Sequence, residues 1–247
     1  MRMLYRIVVI ILLTFLFVHS YGQPVNREAN NKTCCSDSSH FLKAQLVTVG
    51  LISGGILIES ANIKKEIQGW FPRTNTHVED YLRDVPVGML YVSDVFGCKH
   101  RNNAFNQTIY LIISRLATGY LTGAIKKITN LKRPNGENLA FPSGHTSEAF
   151  VSATFLYNET IDYDPYLAYS GYLFSAATGV LRITNNKHWI SDVLVGAGLG
   201  MFITNLVYYI EPFKNWDPFR LNNKAEIIPD IDIDSGTFYV SARIKFK

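Results

Sequence analysis

The sequence predicts an all-α fold, a six-helix bundle followed by a short C-terminal β-hairpin. Two observations carry the bundle. Apolar segments recur at about 42–59, 78–97, 105–126, 146–157, 166–182 and 188–210, and none shows strand alternation. Turn-formers separate them: Gly69, Pro72, Asn102, Asn103, Pro134, Gly136, Pro165 and Asn185. The third observation carries the hairpin, because strict alternation begins only after residue 212. Of 247 residues, 47% are hydrophobic and 18% charged, which suits one large buried core. The net charge of +4 is spread without a polybasic run, so no nucleic-acid surface is called for.

Taken in order, residues 1–23 read as an export signal. Arg2 and Arg6 precede the apolar run Ile7–Val18, and Ser20, Gly22 and Gln23 form a cleavage region. The run is short for an anchor, and no Cys stands at the cleavage point to accept lipid. The mature chain is therefore expected outside the cytoplasm. Residues 24–41 are a polar lead-in, 42–211 the helical domain and 212–247 the tail. In the tail Ile231 and Ile233 alternate with Asp230, Asp232 and Asp234. Beyond Ser235-Gly236, Phe238, Val240, Ala242, Ile244 and Phe246 alternate with polar residues. Three cysteines, Cys34, Cys35 and Cys98, leave at least one thiol unpaired within the chain. Either of the adjacent pair can bridge to Cys98, or all three are incidental.

Chemistry concentrates at four helix ends. Lys126 closes one helix and Ser143-Gly144-His145 opens the next. Arg182 closes another, and His188 and Asp192 open the last. In an up-and-down bundle with short turns, all four ends share one end of the bundle. Lys126 and Arg133, seven residues apart, would face one way on a helix that Pro134 stops. Their structural alternative is a basic helix end complementing the macrodipole. Pro142-Ser143-Gly144-His145 places free N–H groups, a hydroxyl and a histidine at a helix N-terminus, where anions bind. Its alternative is an N-cap beside a surface histidine. His188 and Asp192, at i and i+4, suit a carboxylate that fixes an imidazole tautomer, or an ordinary helical pair.

The three blocks together, Lys-six-Arg-Pro, Pro-Ser-Gly-His and Arg-five-His-three-Asp, resemble the signature of the type-2 phosphatidic acid phosphatase / vanadium haloperoxidase superfamily. One position departs: the family usually has Ser before the last arginine, where this chain has Leu181. The motifs span 126–192, and the helical pattern extends the likeness over about 42–210. The resemblance implies that Lys126, Arg133 and Arg182 bind phosphate, with Ser143 and the Gly144 amide completing the cradle. It implies that His188 attacks to give a phosphohistidine, that Asp192 orients it, and that His145 protonates the leaving oxygen. No Asp/Glu cluster suggests a metal, and no cofactor is expected. Gly196, Gly198 and Gly200 lack a dinucleotide fingerprint and read as a close-packing helix face. His40, His77 and His100 have no partners at metal spacing.

The substrate expected is a lipid-linked phosphate, such as phosphatidate, a prenyl diphosphate or a lipid A phosphate. A soluble acid phosphatase for small esters is the alternative, followed by a vanadate-dependent haloperoxidase and a non-enzymatic anion-binding scaffold. Val193–Ile210, Pro165–Leu181 and Ala44–Ile58 are uncharged, and the first reaches the length of a membrane span. Against spanning, 78–97 carries Glu79, Asp80, Arg83, Asp84 and Asp94, and Arg115 interrupts 105–126. Six full spans after a cleaved signal would put the site on the cytoplasmic side. The expected location is nevertheless the periplasmic side, membrane-associated. An uncleaved signal with one segment that fails to cross, a first helix that fails to cross, or a bundle that does not span would each reconcile the two.

Overall fold

The computed structural model describes residues 34–61, 63–210, 225–232 and 237–244, with side chains from 44 to 61 and 63 to 210. The expected signal and most of the expected lead-in lie outside them. The helices are α1 (Cys34–Ser60), α2 (Lys64–Gln68), α3 (Val78–Leu82), α4 (Val85–Val95), α5 (Ala104–Thr129), α6 (Gly144–Thr160), α7 (Pro165–Thr184) and α8 (Ile190–Ile210). Strands β1 (Ala225–Asp232) and β2 (Thr237–Ile244) pair antiparallel, from Ala225 opposite Ile244 to Asp232 opposite Thr237. They belong to a second compact unit that follows Ile210.

The described helices number more than the six segments of the sequence reading. α1 starts at Cys34, ahead of the boundary expected at 42, and α2 is an additional short helix. The segment 78–97 breaks into α3 and α4 because Pro86 sits in the first turn of α4. A proline fits there, whereas in a continuous helix its ring would meet the carbonyl four residues back. Elsewhere the starts are capped by side chains. Asn103 Oδ1 accepts from Asn106 N at 2.9 Å, and Asp164 Oδ1 accepts from Tyr166 N and Leu167 N at 3.0 Å, with Pro165 at the first helical position.

α8 runs through the middle of the bundle, against α1, α5 and α6. Its glycines make this possible. A Cβ on Gly196 would lie 2.6 Å from the Ser143 carbonyl oxygen, and one on Gly200 would collide with that of Ser147, both on α6 or its N-cap. Gly198 faces the other way, where a Cβ would stand 2.5 Å from Ile52 and 3.0 Å from Thr48 O on α1. Ile52, Ile125, Phe141, Val195 and Leu199 form the apolar core beneath the site end.

The interior is unusually polar and the exterior unusually apolar. Gln107, Ser114, Thr118, Ser152, Thr154, Ser175 and Thr178 are buried, while Leu46, Leu57, Phe96, Leu116, Tyr120, Tyr166 and Leu173 are each at least 66% exposed. α5 and α8 are long and apolar enough to cross a membrane. Of the histidines read as plain, His77 is exposed beside Asp80, whereas His100 is held by Asp94 (2.6 Å) and Ser93 (2.9 Å).

Candidate active site

The four helix ends meet. Ser143 N donates to Asp192 O (2.9 Å), joining the start of α6 to the start of α8. Lys187 N and His188 N both donate to Arg182 O, at 3.1 and 3.2 Å, folding the turn after α7 back onto its last residues. Two local expectations need correction. α5 ends at Thr129, because Asn130 takes the left-handed conformation (φ 43°) and returns its N–H to Lys126 O. Arg133 therefore lies in a loop, held through Arg133 N→Glu137 O (2.7 Å), and not two turns further along the helix of Lys126. His188 likewise precedes α8, which starts at Ile190.

His188 is buried, with Nδ1 3.4 Å from Asp192 Oδ2. That same carboxylate oxygen accepts from Trp189 N at 2.9 Å, so Asp192 ties the turn and the ring together. Burial first, and then the charges of Lys126, Arg182 and Arg133, push the proton affinity of His188 well below its ordinary value. The imidazole thus stands as a free base within the field of all three motif cations. His145 is also lowered, by burial, then by Arg182 and Arg83, with Asp80 opposing. Its Nε2 is 3.0 Å from Asp80 Oδ1.

Each cation has an oxygen partner. Lys126 Nζ donates to Leu139 O (2.9 Å), whose backbone sits in the left-handed region (φ 62°), a conformation that costs a leucine about 1–2 kcal/mol. Arg133 Nη1 donates to Glu137 Oε2 (2.6 Å), and Arg182 Nη1 to the buried Glu79 Oε1 (3.2 Å). Ser143 Oγ is engaged as the N-cap of α6, 3.4 Å from Thr146 N, and bonds Thr146 Oγ1 at 2.9 Å. A Cβ on Gly144 would meet only Lys126 Cε, at 3.8 Å, so the protein's own packing does not demand a glycine there. The bare backbone keeps this surface open for a ligand beside Lys126. Among the described residues no group of three His, Cys, Asp or Glu could hold a metal ion.

Four acids of this neighbourhood went unassigned in the sequence reading. Glu79 and Asp80 are on α3, and Glu137 is in the loop after α5. Glu59, at the end of α1, accepts from Ser191 Oγ (2.8 Å) and pairs with Lys64, which lies 5.3 Å over the Trp189 ring. No spacing signal marks them, since they arrive from three separate parts of the chain.

Residues 107–216, which carry Lys126, Arg133, Ser143, Gly144, His145, Arg182, His188 and Asp192, match the PAP2 superfamily. The chain is 30% identical over 182 residues to a protein of Porphyromonas gingivalis named lipid A 1-phosphatase. That alignment takes in 70% of this chain and 41% of the relative, so the chain spans about four-tenths of the length of that curated protein. Among solved structures, Aquifex aeolicus LpxE aligns with TM-score 0.41 and 22% identity, over 53% of this chain and 82% of its own. A transmembrane PAP2-type phosphatidylglycerolphosphate phosphatase from Bacillus subtilis aligns with TM-score 0.40 and 18% identity, over 85% and 98%.

A stability signature follows from His188. Its folded-state proton affinity is depressed, so the unfolded chain binds the proton first as pH falls. The part of the stability that His188 contributes is therefore lost as pH drops below about 6.5, the unfolded value. Between pH 7.5 and 5 the unfolding temperature of His188→Gln should fall less, or rise more, than that of the wild type.

Proposed function

We propose that this chain is a phosphatase acting on a phosphorylated lipid through a covalent phosphohistidine. The observation that carries the reading is the buried, neutral His188, oriented by Asp192 and set in the combined field of Lys126, Arg133 and Arg182. In the first step a His188 ring nitrogen bonds to phosphorus as the ester P–O bond breaks. The proton for the departing oxygen comes from His145. In the second, water bonds to phosphorus, its proton passes to His145, and the N–P bond breaks to release phosphate. Lys126, Arg133 and Arg182, with the Gly144 amide and Ser143 at the N-terminus of α6, stabilise charge on the equatorial oxygens. These fixed cations supply the charge that a metal would otherwise supply, so the reaction is read as metal-independent.

Two observations favour a lipid over a small ester. The relative in Porphyromonas gingivalis is named for a lipid phosphate. The bundle also leaves many large apolar side chains exposed while burying hydroxyls beside its apolar core, a pattern that suits contact with lipid. Membrane association follows, with the site on the periplasmic side.

The test is phosphate release by the purified protein in detergent from lipid A, phosphatidate and a prenyl diphosphate. Turnover on at least one is expected to persist in EDTA, to be strongly inhibited by orthovanadate and only weakly by phosphate. Vanadate reproduces the five-coordinate transition state, and such analogues bind far more tightly than substrates. Arg182→Ala should weaken vanadate binding more than substrate binding. Loss of turnover in EDTA, restored by a divalent cation, would overturn the metal-independent mechanism.

A further inference from the structure

The acids of α3 are delivered to the site by a strap that precedes them. Thr74 N donates to Thr184 O (2.9 Å), and Thr74 Oγ1 bonds Thr184 Oγ1 (2.9 Å) and Asn185 Oδ1 (2.8 Å). Thr76 N donates to Asn185 Oδ1 (3.1 Å), while Asn185 Nδ2 donates to Thr76 O (2.9 Å) and to Glu79 Oε1 (2.7 Å). The strap is thus sewn to the turn just beyond Arg182. Glu79 is buried against Arg182, and its second oxygen, Oε2, has no partner. A half-satisfied buried carboxylate is a poor stabilising device, because desolvation offsets most of the pair's attraction. Its service is to fix the next residue. The Asp80 carboxylate meets His145 Nε2 at 3.0 Å.

We propose that Asp80 is a positioning residue for His145, held in place by the Glu79-anchored strap, and that it orients that imidazole and favours its protonated form for proton donation. This rests on the phosphatase reading above, in which His145 is the acid. The charged groups facing His145 are Asp80 of α3, Arg83 just after it and Arg182 of α7. Glu148, on the same helix as His145, is occupied by Arg83 at 2.9 Å. Both arginines disfavour an imidazolium, so Asp80 is the group that opposes them.

The expected result concerns Asp80→Asn, which preserves shape and removes charge at a half-exposed side chain. With an alkyl or lipid phosphate, whose leaving oxygen needs a proton, kcat/KM should fall about tenfold or more. With p-nitrophenyl phosphate, whose leaving group needs none, it should change by less than about threefold. The basic limb of the kcat/KM profile should move to lower pH, because the proton leaves His145 more readily without the carboxylate. In a His145→Ala background, Asp80→Asn should cost nothing further. Equal losses on both substrates, an unmoved basic limb, or losses that multiply with His145→Ala would overturn the proposal. A second readout needs no turnover. In 15N-histidine-labelled protein, the His145 resonance should titrate at lower pH in Asp80→Asn, and an unchanged midpoint would also overturn it. If the wild type hydrolyses no phosphate ester, the phosphatase reading fails, while this titration still decides whether Asp80 governs His145.

Discussion

His188→Ala is expected to lower turnover by about 10^4-fold or more while leaving the helical fold intact. A covalent mechanism has no bypass when its nucleophile is removed, and residual rate comes only from the remaining cradle. The imidazole is held by Asp192, at 3.4 Å, and by the Ala140 backbone, so its removal loosens the site without undoing the bundle. Quenching the wild type in mid-turnover should trap an acid-labile phosphoenzyme that the variant lacks. Near-normal turnover in the variant would refute the role of His188, and with it the two-step scheme.

Gly196→Ala is expected to cost about 100-fold in activity together with about 1–3 kcal/mol of stability. The new methyl would stand 2.6 Å from the Ser143 carbonyl oxygen, closer than any real contact, and the obstacle is backbone. The chain must move the N-terminus of α6, and displacements of about an ångström at a reacting centre cost rate on this scale. Gly54→Ala is the matched control, since nothing lies within 4 Å of its Cβ position. Turnover and thermal unfolding of both variants decide the matter. Full activity in Gly196→Ala would show that the α6 terminus is not part of the cradle.

Much of this architecture was legible because its signals are local. The apolar segments gave the long helices, and the placement of Lys126, Ser143, Arg182 and His188 at helix ends gave their convergence. The glycines of α8 were legible as a packing face, although not that Gly196 and Gly200 serve α6 while Gly198 serves α1. What stayed hidden depends on dihedral detail or distant chain. The left-handed Asn130 takes Arg133 off the helix axis, a choice that spacing alone cannot reveal. Glu79 and Asp80 read as charges interrupting an apolar segment. Only the break before Pro86 shows that they belong to a separate helix at the site.

The oxygen partners of the cations bear on how an anion would enter. Arg133, Arg182 and His145 already face Glu137, Glu79 and Asp80, and Lys126 faces a carbonyl. The site is therefore no deep positive well that captures any passing anion from a distance. A phosphoryl group gains entry by ligand exchange, displacing the exposed Glu137 from Arg133 and competing with fixed oxygens elsewhere. Charge alone cannot win that competition, because carboxylates of the medium carry it too. Three equatorial oxygens arranged to meet several donors at once can win it, so discrimination rests on shape.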